Sequence, residues 1–126
     1  MRLALSDIQP TEHCLRKDSI EFFMNNPSRI FTQRNKIKII EAFGQQFKYY
    51  ALDGNHRMYT LHCQGIQEID FPVEPESNES DIYLARIIHN MGIKGWADLG
   101  ERLVSQKRWD ELHSFEYMEA IINQYG

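Results

Sequence analysis

The segment from Tyr49 to Gly65 constrains this chain more than any other. Tyr49, Tyr50, Ala51 and Leu52 are aromatic or apolar and suit a buried strand, Asp53-Gly54 is turn chemistry, and no helix breaker follows Arg57 until Gly65. The spacing predicts a strand, a tight glycine turn and a helix over roughly 57–64. A helix that starts on such a turn presents backbone N–H groups that its own carbonyls do not reach. Those donors and the helix dipole attract anions. Arg57 and His56 can add charge-assisted hydrogen bonds, so a phosphate is the expected guest.

The rest of the chain reads as a frame for that turn. Leu3 and Leu5 alternate as in a short strand, and Pro10 keeps Gln9 extended, which places Glu12 in a loop just past a strand end. Functional carboxylates gather in such loops, and a plain surface carboxylate is the competing reading. Ile20, Phe23 and Met24 predict a helix from Lys17 to Asn25, ended by Pro27. Residues 28–35 have no period and read as a loop carrying Arg29 and Arg34. Residues 36–43 and 47–52, joined at Gly44-Gln45-Gln46, read as an antiparallel hairpin, and Ile66 to Val73 as a further short strand.

After the polar, proline-bearing stretch Glu74 to Glu79 the period becomes helical. Leu84, Ile87, Ile88 and Met91 make one amphipathic stripe that Gly92 ends. Trp96, Leu99 and Leu103 suggest a second helix, and Trp109, Leu112, Met118, Ile121 and Ile122 one or two more. Large aromatics at helical spacing are usually core residues, so both tryptophans are read as buried. The expected fold is α+β: a small mixed sheet with a strand–turn–helix phosphate site over residues 1–75, and a helical extension over residues 76–126 packed on it in one compact domain.

At 126 residues the chain has room for one domain, and no apolar run is long enough to cross a bilayer. Its opening residues lack the apolar segment of a signal peptide, so a cytoplasmic location and no membrane partner are expected. Fourteen basic against eighteen acidic residues argue against a protein that coats nucleic acid, although Arg29, Arg34, Lys36 and Lys38 form a local basic set. Cys14 and Cys63 are expected as reduced thiols. The pairs His13-Cys14 and His62-Cys63 are adjacent residues that point in different directions and lack zinc-site spacing, so no zinc site is expected from them.

The run Leu52-Asp53-Gly54-Asn55-His56-Arg57 resembles the ParB/sulfiredoxin superfamily, whose members carry a Gly-x-x-Arg turn between a strand and a helix. Asp53, Gly54, His56, Arg57, Leu61 and Gly65 fall in register with it, and Ile8-Gln9-Pro10-Thr11-Glu12 looks like the family's first strand and its Pro-x-Glu loop. The sulfiredoxin branch has a cysteine where this chain has Asn55, and the chromosome-partitioning branch has an arginine where it has His56. The free serine kinase-like branch matches best, with Asn55 and Gln64 as departures where that branch has His and Leu. The helices after Ser80 match none of these branches.

That resemblance implies a nucleotide-binding protein, with ATP or ADP and Mg²⁺ as cofactors and a small hydroxyl compound as acceptor. Glu12 is the implied general base, Asp53 a catalytic carboxylate and metal ligand, and Gly54, Asn55, His56 and Arg57 hold the phosphates. Phosphoryl transfer needs those three things: positive donors, a carboxylate-held divalent ion, and a base on the hydroxyl. The bland readings are Asp53 as a turn former, Arg57 as a surface residue of a first turn and His56 as a satisfied polar group. The alternative function is a ParB-like module that binds nucleic acid or protein without turnover, or a ParB-like nuclease.

Overall fold

The computed structural model describes residues 1–32, 36–75 and 79–126. The fold is α+β. Strands β1 (Arg2–Ala4), β2 (Ile8–Gln9) and β3 (Leu15–Arg16) precede helix α1 (Lys17–Asn25). Strands β4 (Lys38–Glu41) and β5 (Tyr49–Asp53) lead into α2 (Asn55–Cys63) and β6 (Glu68–Asp70). Then come α3 (Glu79–Asn90), β7 (Leu103–Val104), α4 (Gln106–Leu112) and α5 (Phe115–Tyr125). No helix among the described residues is long and apolar enough to cross a membrane.

The hairpin of β4 and β5 forms as its sequence predicts, antiparallel, with Ile39 opposite Ala51 and Ile40 opposite Tyr50. β2 adds to the other side of β5 in parallel, giving the strand order β2-β5-β4. Successive strand residues point to opposite faces, and both faces of this sheet are covered. Ile8, Ile39 and Ala51 join Met58 and Leu61 of α2 in the main core, whereas Ile40 and Tyr50 meet Ala85 of α3 in a second cluster. That is why β4 carries two isoleucines in succession. A one-residue slip would leave an apolar residue on either face, so pattern alone does not fix the register. Glu74 helps to fix it, its N–H donating to Ile39 and its carbonyl accepting from Glu41, both at 2.9 Å.

Two further pairings tie the chain together: β1 with β6, antiparallel, and β3 with β7, parallel, Leu15 opposite Leu103. The second differs from the expected helix through Leu103. Gly95 and Gly100 bracket residues 96–99, which is room for a single 3₁₀ turn, and the chain then extends into β7. Trp96 in that turn is buried as expected, its indole N–H donating to the Leu5 carbonyl at 3.2 Å. Cys14 and Cys63 are both free thiols, the first buried and the second exposed.

Helix α2 starts at Asn55, two residues earlier than its sequence suggests. Gly54 is the cause. It takes φ +94°, a left-handed conformation that turns the chain sharply enough for the helix to begin at once. A Cβ there would also lie 3.1 Å from the Ile37 Cα and the Lys36 carbonyl. Strand β5 therefore runs into the first turn of α2 with one residue between them.

Candidate functional site

The β5–α2 turn opens into a cleft of about 340 Å³ lined by Glu12, Arg16, Lys36, Leu52, Asp53, Gly54, Asn55, His56, Arg57 and Trp109. The six residues expected to form the phosphate site, Glu12, Asp53, Gly54, Asn55, His56 and Arg57, are all among them. Glu12 is brought across more than forty positions of sequence by a knot of hydrogen bonds between the loop after β2 and the start of α2. The Thr11 N–H donates to Asn55 Oδ1 at 2.9 Å, and Asn55 Nδ2 donates to Thr11 Oγ1 at 2.9 Å and to the Ala51 carbonyl at 3.2 Å. The Thr11 hydroxyl in turn donates to the same Ala51 carbonyl at 2.6 Å.

That knot changes the part Asn55 plays. Its side chain is 4% exposed and both its polar atoms are engaged, so the amide is a latch rather than a phosphate ligand. What Asn55 can offer an anion is its backbone N–H. The helix ladder begins with the Met58 N–H donating to the Gly54 carbonyl at 2.9 Å, so the N–H groups of residues 55–57 come before it.

His56 also differs from expectation. Its Nε2 accepts the Arg16 backbone N–H at 2.9 Å, which requires a lone pair there and hence a neutral ring. Burial first, then the charges of Arg16 and Arg57 and the His113 ring, push its pKa down from 6.5 to about 4. His56 thus pins β3 against α2 and does not contribute a cation. The unfolded chain binds this proton between about pH 4 and 6.5 while the folded chain does not, so the contribution is whole above pH 6.5 and lost as pH falls towards 4. The loss is expected on the order of 2 kcal/mol. Urea unfolding at both ends of that window should show it, and His56→Gln, which keeps an acceptor for Arg16, should flatten the slope. An unchanged slope in the variant would show that another group carries it.

The positive charge of the cleft comes from Arg57, Arg16 and Lys36. The Arg57 guanidinium lies 4.7 Å from the Phe23 ring centroid, and that of Arg16 lies 5.1 Å from the Trp109 ring centroid, so each sits over an aromatic face. In both residues Nε is buried without a hydrogen-bond partner among the described residues. Burial also lowers the Arg57 pKa. Arg16 and Trp109 were not signalled by the sequence. Arg16 falls one residue before the periodic stretch of α1, and Trp109 has the spacing of a core residue.

Two carboxylates share the cleft. Asp53 ends β5 and is exposed at the rim. Glu12 is half-buried and its Oε2 accepts from His113 Nε2 at 2.9 Å, while His113 Nδ1 donates to the Trp109 carbonyl at 2.8 Å. Burial pulls the His113 pKa down, but the bonds to Glu12 and to that carbonyl outweigh it and hold it above the usual value. Of the basic set, Lys36 lines the cleft, Lys38 lies 3.8 Å from Glu74, Arg29 sits 5.9 Å from the Phe22 ring, and Arg34 is outside the described residues.

No protein-family model and no curated protein matches the sequence. Among solved structures the chain is similar to protein Atu1540 from Agrobacterium tumefaciens, with a TM-score of 0.52 and 14% identity over 79% of this chain. The chain spans 60% of that protein's length. At that identity the likeness is one of fold.

Proposed function

We propose that the cleft binds a nucleotide by its phosphates and that the chain transfers a phosphoryl group from ATP or ADP, with Mg²⁺, to a small hydroxyl compound. The observation that carries this reading is the pair Arg16 and Arg57, two guanidiniums whose buried Nε atoms have no hydrogen-bond partner among the described residues, in the cleft at the N-terminus of α2. A buried donor without a partner costs about 1–3 kcal/mol, and an anionic oxygen accepting from each would recover it. Lys36 and the free N–H groups of residues 55–57 add to the same field. Asp53 at the rim would hold a divalent ion, which would supply positive charge for the phosphates, and Glu12 supplies the base for the accepting hydroxyl. The resemblance to the free serine kinase-like branch gives Glu12 the part of the base and the turn that carries Arg57 the part of the phosphate holder.

The test is thermal unfolding of the chain with ATP, ADP, CTP or GTP, each with and without Mg²⁺. A nucleotide at about a hundred times its Kd adds about 2.7 kcal/mol, a rise of several degrees for a domain of this size. A rise with ATP or ADP is expected, larger with Mg²⁺. No rise with any of the four at millimolar concentration would overturn the reading.

A further inference from the structure

Behind the cleft, the loop between β2 and β3 meets the junction of α4 and α5 in a cluster that phosphate binding does not use. One ligand atom from each of His13, Cys14 and His113 lies within 4.8 Å of the others. His13 and Cys14 are neighbours without zinc-site spacing, and His113 enters from a hundred positions away. We propose that His13, Cys14 and His113 form a binding site for a zinc ion.

Backbone carbonyls hold the two rings. His13 Nε2 lies 2.9 Å from the Leu112 carbonyl, and His113 Nδ1 lies 2.8 Å from the Trp109 carbonyl. A carbonyl only accepts, so both of those nitrogens carry hydrogen, and the nitrogens left to act as ligands are His13 Nδ1 and His113 Nε2. Metal-binding histidines are held in this way, with the second N–H donated to a backbone carbonyl. His13 is fixed further, its ring stacked with Tyr117 at 5.8 Å and 4.5 Å from the ring of His113, and its carbonyl accepting from Arg102 at 3.2 Å.

Glu12 lies beside the cluster, its Oε2 2.9 Å from His113 Nε2, and is not one of the three ligands. The three ligand atoms, within 4.8 Å of one another, reach zinc distances by side-chain rotation, and the fourth tetrahedral position is open to water. On binding, the Cys14 thiol and His113 Nε2 each release a proton to solvent, and Cys14 ligates as the thiolate. One thiolate and two imidazoles suit zinc and exclude magnesium or calcium, which take oxygen ligands. A zinc ion bound here takes the His113 nitrogen that now pairs with Glu12 and leaves the carboxylate to the cleft, and the zinc site stands whether or not the phosphotransferase reading does.

The full chain, freed of metal by a chelator, is titrated with Zn²⁺ and separately with Co²⁺. A single equivalent should bind, and Co²⁺ should give the charge-transfer absorption of a thiolate ligand. Cys14→Ser should abolish that band, while Cys63→Ser should keep it. His113→Gln, at a half-buried position where folding is checked by the unfolding transition, should weaken Zn²⁺ binding by about 100-fold. Absence of stoichiometric Zn²⁺ binding at micromolar concentration, or a band that survives Cys14→Ser or depends on Cys63, overturns the proposal. So does a His113→Gln variant that folds and binds Zn²⁺ as the parent does.

Discussion

Glu12→Gln is expected to cut phosphoryl transfer to a small hydroxyl compound by about 100-fold or more, while leaving nucleotide affinity unchanged. Glutamine still accepts a hydrogen bond from His113 but takes no proton from a hydroxyl, and the pair it replaces is partly exposed. The cost in stability should therefore stay below about 1 kcal/mol. Arg57→Ala should lose affinity and turnover together, because its guanidinium meets the phosphates in ground and transition states alike. The assay follows ATP or ADP consumption by zinc-free protein against a panel of hydroxyl compounds, free serine first. Full activity in Glu12→Gln would move the base elsewhere. Binding without turnover in the parent chain would make it a module that holds nucleotides without consuming them.

Local signals placed the turn, α1 and the hairpin, because each depends on residues close in sequence. Gly54 marks the turn, Ile20 and Phe23 mark the buried stripe of α1, and Gly44 marks the bend between β4 and β5. The parallel pairings were not visible in the same way. β2 and β3 are two residues each, too short to show a period, and their partners lie about forty and ninety positions away. The same distance hid part of the cleft. Arg16 reaches it only because β3 pairs with β7, and Trp109 only because α4 folds back over β3. The resemblance picked out Glu12, Asp53 and the turn residues, and those do converge. It could not tell which of them use their side chains on the fold instead. That depends on partners such as Thr11 and Arg16, which the motif does not include.

Asn55 is the residue on which that distinction has the largest measurable effect. If its amide were a phosphate ligand, Asn55→Ala would lower nucleotide affinity and leave the ligand-free protein as stable as before, since a binding residue has no partner until the ligand arrives. In the structure its amide already joins Thr11 and Ala51, and the site is almost closed to water. Alanine there removes three hydrogen bonds and leaves the buried Thr11 N–H without an acceptor, at about 1 kcal/mol for each bond lost and more for the stranded donor. The expected cost is about 3 kcal/mol in the ligand-free state, a large part of the 5–15 kcal/mol that holds a domain folded. It should appear as a lower urea midpoint with an unchanged slope. Arg57→Ala should do the reverse, leaving ligand-free stability unchanged or slightly raised, because it removes a buried donor that has no partner among the described residues. Equal stability of Asn55→Ala and the parent would refute the latch and return the amide to the anion site.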